Sequence, residues 1–285
     1  MIESRRFELK PGVYKATKKN GDIYYRGNIT YNGKHISIGS FETEALCNKA
    51  YNEAWSILKN DSITLLSYQN KIKALPFEKI VILINFRDNK IYIKNPIYLQ
   101  NNYFIYYLDQ STILKFDKDD LFYYSSHKIQ FRGGHLFVSD YGMQYNILSR
   151  YGIKPYAVKG KDYVFANGDE FDMRYSNIIL VNKYHGVTKE DKSGRVKYVA
   201  KIHLNGDFII GRYSSEAKAA VAYNKAVDLC KSRGMNKNFA TNFVTEYTPR
   251  EYADVYTDIK ISSHLYKFFR NKNFRENDLS NYREA

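Results

Sequence analysis

The chain has 285 residues, with 44 Lys plus Arg against 30 Asp plus Glu, a formal charge of +14. That length accommodates two or three compact domains with a real core, and the charge favours an acidic polymer as partner, because each neutralised phosphate releases counterions. No apolar run is long enough to span a bilayer, and the N-terminus lacks the apolar core of a signal peptide, so no membrane partner is expected. Cys47 and Cys230 sit at related places on two predicted helices and read as small core residues, not a disulfide framework or a metal site. A reducing cytoplasm fits, with nucleoid association if the source is bacterial; the wealth of Lys, Asn, Ile and Tyr matches the AT-rich coding of a bacterium or phage.

Residues 1–10 are a polar lead-in with Arg5, Arg6 and Lys10. Residues 11–60 predict three short strands and a helix, with Asn32-Gly33 as a hairpin turn. Strand alternation puts Tyr14, Arg26, Asn28, Thr30, His35 and Ser37 on the face away from the helix. Arg26 and Asn28 are the types that read guanine and adenine edges. Tyr51 and Trp55, on the helix, belong to the core. Residues 61–131 are expected to be β-rich, with strand-like runs at 79–86, 90–99, 101–108 and 113–117. Asp88-Asn89 and Asn101-Asn102 are turns between them, and 117–124 is a helical turn. The tyrosines here pack a core with their hydroxyls at its rim.

Residues 132–183 contain Asn167-Gly168-Asp169, then Asp172, Arg174 and Asn177. Residues 184–244 follow the pattern of 11–60. A strand opens at 187–190, a turn covers 191–194, and 195–203 alternates. Tyr198, Ala200 and Ile202 face one way; Lys197, Val199, Lys201 and His203 face the other. Asn205-Gly206 marks a hairpin before a strand at 207–212. Ser214 or Ser215 caps a helix that runs to about Arg233 and stops at Gly234. Ala217, Ala220, Val221, Asn224, Val227 and Asp228 lie on its sheet side. The open face of this sheet carries Thr188, Lys197, Lys201 and His203, with Arg195 and Arg212 placed for phosphates; Glu190 shares that face and would repel them. Thr248-Pro249-Arg250-Glu251 starts a last helix, and a charged tail with Lys267, Arg270, Lys272 and Arg275 follows.

The two halves are internal repeats. Gly12-Val13 matches Gly186-Val187, Tyr25 to Ile29 matches Tyr198 to Ile202, and Asn32-Gly33 matches Asn205-Gly206. Ala50-Tyr51-Asn52-Glu53-Ala54 matches Ala222-Tyr223-Asn224-Lys225-Ala226, in the same order. At these residues both copies resemble the Apetala / ethylene-response-factor DNA-binding domain. The first departs from it at Gly27, where Ala is usual, and at Ala45-Leu46-Cys47, where Ala-Ala is usual. The resemblance implies a three-stranded sheet laid in the major groove of DNA. The arrangement from Asn167 to Ile178, just before the second copy, resembles the HNH homing endonucleases whose core is joined to such a domain, and the resemblance runs from about Lys115 to Val181. That resemblance implies a finger of two strands and a helix, a histidine base and a divalent metal. Hydrolysis of a phosphodiester on it needs both. At the base position this chain has Phe165, and at the neighbouring ligand position Val164. Asn167, which braces the loop, and Asn177, at the far ligand position, remain. A displaced histidine, His127 or His135, is the alternative base. Asp162, Asp169 and Asp172 are read as turn and cap carboxylates.

The expectation is an α+β protein of five regions: a first sheet-and-helix module at 1–60, a β-rich region at 61–131, a degenerate nuclease-like finger at 132–183, a second module at 184–244, and a helix with a charged tail at 245–285. The expected function is sequence-specific binding of double-stranded DNA, as a transcription regulator derived from a homing endonuclease that has lost catalysis, with no cofactor and no metal. Two other readings stand beside it: an active homing or nicking endonuclease, and a factor that binds a phage or host protein through the central region or C-terminal tail.

Overall fold

The computed structural model describes residues 10–271. The expectations for Arg5, Arg6, Lys272 and Arg275 lie outside the described residues. The described chain is α+β, built from small antiparallel sheets of two or three strands and six α-helices. It divides into two compact units: one runs up to Ile147 and includes Asp169–Asn177, and the other comprises Leu148–Gly168 and the chain from Ile178 onward. The boundary passes through the 132–183 region.

In the first unit, β1 (Val13–Thr17), β2 (Ile23–Tyr31) and β3 (Lys34–Phe41) form one sheet, covered by α1 (Glu44–Lys59). Asn32 and Gly33 turn the hairpin with φ of 44° and 72°, the left-handed pair a two-residue turn requires. The Thr43 side chain caps α1 by accepting from the Leu46 amide. Val13, Ile29, Ile36 and Ile38 point at Cys47, Ala50, Ala54 and Ile57 of the helix. The buried Glu53 carboxylate takes the amides of Lys73, Ala74 and Leu75 at 3.0, 2.8 and 2.9 Å.

Residues 79–86 are not a strand. They lie in α2 (Phe77–Asn89), buried from Ile80 to Arg87. A helix enclosed on every side is apolar on every side, so its sequence carries no 3.6-residue period and mimics a buried strand. Asn85 is accommodated there because its amide donates to the Ile91 carbonyl and accepts from the Leu99 amide, both at 2.9 Å. Lys90, at φ 61°, ends the helix, so Asp88 and Asn89 are its last residues and not a turn between strands. Arg87 reaches back from it to the carbonyls of Ile57 in the last turn of α1 and of Asn60 and Ile63 just after it. The run 90–99 also pairs only at its end, as β4 (Ile97–Leu99), which joins β5 (Tyr103–Tyr107) and β6 (Ile113–Asp117). A 3-10 turn and α3 (Leu121–Ser126) follow, close to the helical turn expected at 117–124. Phe104, Phe116 and Tyr124 cluster with centroids 5.3 and 4.4 Å apart along the series, and Tyr106 is buried beside them in the strand pattern. Tyr68, Tyr106 and Tyr124 are buried, and Tyr92, Tyr98, Tyr103, Tyr107 and Tyr123 are half-buried. A third sheet, β7 (Ile129–Arg132), β8 (His135–Asp140) and β9 (Met143–Asn146), completes this unit.

In the second unit, β10 (Tyr163–Phe165) pairs with β11 (Ile178–Leu180). They lie in the region where a finger of two strands and a helix is expected. No α-helix lies between 132 and 183 among the described residues. The stretch 169–177, which belongs to the first unit, lacks a helical apolar period and is held by its own turn residues and by Lys115 and Asp117 of β6. The second module follows as β12 (Val187–Lys192), β13 (Arg195–His203) and β14 (Asp207–Tyr213) under α4 (Glu216–Ser232). Ser215 caps α4, and Gly234 at φ 83° follows its end. Ala217, Ala220, Val221, Asn224 and Val227 are buried as expected. Asp228 is not: it is exposed and accepts from the Tyr256 hydroxyl at 2.8 Å. Tyr256 belongs to α5 (Pro249–Asp258), which starts with Pro249 and a full capping box between Thr248 and Glu251. Lys267 and Arg270 fall on α6 (Ser263–Asn271), not on a loose tail, and Leu265 and Phe269 anchor it to the core.

The two modules share details no single strand pattern shows. Each has a bulge at the same place, between Gly27 and Asn28 and between Ala200 and Lys201, leaving Ile38 and Ile210 as extra buried residues. Each has a glycine in left-handed backbone, Gly12 and Gly186, whose carbonyl accepts from Asn28 and Lys201 at 2.9 and 2.7 Å. Where the second module has Ala200 and Ala219, the first has Gly27 and Cys47. A Cβ on Gly27 would lie 3.2 Å from the Cys47 sulfur and 2.7 Å from Ile38, so the larger helix residue fills the space of the missing methyl. Cys47 is in the first turn of α1 and Cys230 in the last of α4, so the two are not equivalent positions. Burial raises both thiols, Cys230 to about 11.

Candidate nucleic-acid interface

Directly paired residues of an antiparallel sheet point to the same side, so the register defines each open face. On the second sheet the rows are Lys192 with Arg195, Glu190 with Lys197, Thr188 with Val199 and Arg212, Lys201 with Ile209, and His203 with Asp207. Arg195, Lys197, His203 and Arg212 are exposed, and Thr188 and Lys201 half-buried. The predicted set therefore shares one surface. Val199 is on that surface but is fully buried, and it does not join the core behind the sheet. Glu190, expected to repel phosphate, is engaged: its carboxylate lies 3.6 Å from Arg212 Nε. Glu190, Lys192, Arg195, Lys197 and Arg212 line a concavity of about 560 Å³.

Lys192 and Ile209 are open-face residues that the alternation argument missed. A turn over 191–194 would end the strand before Lys192. The turn is only Ser193-Gly194, both left-handed at φ 53° and 79°, so β12 continues to Lys192. At the other end of the face, His203 Nδ1 lies 2.8 Å from Asp207 Oδ1. That hydrogen bond, aided by the charges of His203, Lys201 and Lys161, holds the Asp207 carboxyl below its ordinary range.

On the first sheet Tyr14, Arg26 and Ser40 form one row, Asn28 pairs with Ser37, and Thr30 pairs with His35. Thr30 Oγ1 and His35 Nδ1 are 3.2 Å apart. Arg26, Thr30, His35, Ser37 and Tyr14 are exposed and Asn28 is half-buried. Arg26 has no ion-pair partner among the described residues. The two faces differ in chemistry. The first sets hydroxyl, amide and imidazole groups around one guanidinium; the second is dominated by cations.

The nuclease-like positions are occupied as follows. Val164 pairs with Ile179 and Phe165 with Ile178 in the short ladder. Neither side chain accepts a proton or ligates a metal. Asn167 is exposed at the turn where the Gly168 amide donates to the Phe165 carbonyl. Asn177 is buried and donates its amide to the carbonyls of Asp169 and Asp172 at 2.9 and 2.8 Å. Asp162 accepts from the Val158 amide, Asp169 from the Phe171 amide, and Asp172 forks onto Arg174 at 2.8 and 2.6 Å. His127 stacks on Tyr123 at 4.1 Å, with Nδ1 2.9 Å from the Tyr123 carbonyl and Nε2 3.7 Å from Asp140. His135 is exposed in the β7–β8 hairpin. No group of three or more His, Cys, Asp or Glu side chains suited to a metal occurs among the described residues. No helix there is long and apolar enough to cross a membrane. No family model, curated protein or solved structure matches the chain.

Proposed function

We propose that this protein binds double-stranded DNA in a sequence-dependent way through its two three-stranded sheets, acting as a transcription regulator. The observation that carries the reading is the second sheet. Its register sets Lys192, Arg195, Lys197, Lys201 and Arg212 on one face while the opposite face carries the apolar load of α4. A ribbon of this kind fits the major groove, and the cations neutralise phosphate on either side. The first sheet offers Arg26 and Asn28 as base-edge readers. The likeness of both modules to the Apetala / ethylene-response-factor domain supports the same use of the sheets. The likeness of the intervening stretch to HNH homing endonucleases, with Val164 and Phe165 at the positions of ligand and base, supports descent from a nuclease that no longer cuts. Two linked readers gain from effective concentration, so each can be weak alone.

Selection of bound sequences from a random duplex library, with and without divalent metal, tests this. The expected result is one long motif with two parts, selected equally well without metal and left uncut. Arg26→Ala should then relax preference at one position by about 1–3 kcal/mol, and Lys201→Ala should weaken all sequences evenly with a smaller salt dependence. Metal-dependent cleavage would establish a working nuclease instead, and no enrichment over random duplex would defeat the reading.

A further inference from the structure

The second unit has a cleft of about 550 Å³ beside the start of β12 that the open-face assignment does not use. It continues from that face, since Thr188, Lys201 and His203 line it. Its other cations come from separate segments: Lys161 from the turn before β10, and Lys237 from the chain after α4. The turn is held in place by the backbone of Asp162, whose carbonyl accepts the amides of Val181 and Asn182 at 2.8 and 3.0 Å. Lys237 is held by its own ammonium group, which donates to the His203 carbonyl at 3.2 Å.

Three lysines from three segments thus line one cleft, and none makes an ion pair among the described residues. The two carboxylates that line the cleft are already engaged. Asp162 takes the Val158 amide and the Asn182 side chain at 2.8 and 3.2 Å, and Asp207 is bound to His203. The wall between the cations is aromatic. The His185 ring meets the edges of Tyr156 and Tyr223 at 4.5 and 5.2 Å. Burial lowers its pKa, which keeps that wall uncharged. Cations beside an aromatic wall suit a phosphodiester joined to a sugar better than a bare anion, and the opening onto the sheet suits a chain of them.

We infer that this cleft seats the sugar–phosphate backbone of the bound duplex, with Lys161, Lys201 and Lys237 as phosphate contacts and the His185 ring against a deoxyribose. The inference rests on the DNA-binding reading above. Its consequence is a clamp that adds affinity without base preference.

The test measures duplex affinity of the full chain between about 50 and 200 mM salt for the wild type, Lys161→Ala/Lys237→Ala, and Lys161→Arg/Lys237→Arg. The alanine pair should weaken specific and random duplexes alike, by about tenfold or more, and flatten the log–log salt slope by about 1.8, while the selected motif is unchanged. The arginine pair should restore the slope. Methylphosphonate linkages flanking the site should weaken the wild type and leave the alanine pair little changed. Inorganic phosphate that competes with the wild type and not with the alanine pair, while methylphosphonates do nothing, would reassign the cleft to a free anion and overturn the backbone role. An alanine pair with wild-type slope and affinity would overturn the cleft alone. A wild-type chain that binds no duplex would overturn the DNA reading and this inference together.

Discussion

Gly186→Ala is the sharpest probe of the module architecture. Gly186 sits at φ 70°, in left-handed backbone. A Cβ there would fall inside the Tyr223 ring and 2.7 Å from the Lys201 carbonyl oxygen. Two costs add. The left-handed conformation costs a residue with a Cβ about 1–2 kcal/mol. Driving the buried Tyr223 ring out of its place is an overpacking change, typically about 1–3 kcal/mol. The sum is about 3 kcal/mol, a large share of a domain's stability. Gly194→Ala separates the terms, because Gly194 is also left-handed, at φ 79°, with nothing within 4 Å of its Cβ position. It should cost only about 1 kcal/mol. Gly12→Ala is the equivalent in the first unit, where a Cβ would meet the Tyr51 ring and lie 2.7 Å from the Asn28 carbonyl. The chain has one tryptophan, Trp55 on α1, so its fluorescence reports the first unit. In urea titrations, Gly186→Ala should shift part of the far-ultraviolet circular dichroism transition and leave the Trp55 transition unmoved. Gly12→Ala should shift the Trp55 transition. If Gly186→Ala costs no more than Gly194→Ala, the close approach of backbone to ring is not a determinant of this fold and the reasoning fails.

Other expected outcomes concern polar groups that tie the helices down. Burial opposes ionisation of Glu246, but the Lys183 ammonium at 2.6 Å and the Tyr184 hydroxyl outweigh it and hold the carboxyl at about 2. A carboxyl held below its ordinary 4.5 stabilises the fold fully above that value and loses the contribution as pH falls towards 2. The side chain is 41% exposed, so water screens most of the gain, and Glu246→Gln should cost about 1 kcal/mol at neutral pH and remove that step from the stability–pH curve. Glu53→Ala strands three backbone amides after α1 and should cost about 3 kcal/mol, read by Trp55 fluorescence in urea; a loss under about 1 kcal/mol would show that water replaces the carboxylate. Lys225→Met removes the donor to the carbonyls of Tyr256, Thr257 and Ile259 and should cost about 1–2 kcal/mol, with the loss in the transition that Trp55 does not report.

Residues whose fate is decided by their neighbours in sequence were legible. The open-face sets of both sheets follow from a two-residue period, and the Asn32-Gly33 turn, the Ser215 cap, the Gly234 stop and the Thr248–Glu251 box follow from local stereochemistry. Residues 79–86 were not legible, because burial on all sides erases the helical period. Nor was the burial of Val199 on the open side, which no alternation shows, or the extension of β12 to Lys192, which depends on a turn of only two residues.

Position 53 and its counterpart 225 show the division most plainly. Both follow the same Tyr-Asn pair on equivalent helices, yet Glu53 gathers three amides that lead into α2 and Lys225 gathers three carbonyls that end α5. Opposite charges serve because one helix meets the donor end of a following segment and the other an acceptor end. The exchange of a methyl between Gly27–Cys47 and Ala200–Ala219 is of the same kind. By itself the amino-acid order determined the repeat, the strand faces and the helix ends, because those depend on torsions and periods within a few residues. Tertiary structure alone decided α2, the paired bulges, the partners of Glu53 and Lys225 and the Lys161–Lys201–Lys237 cleft, because each depends on groups far apart in the chain that meet only once the core has closed.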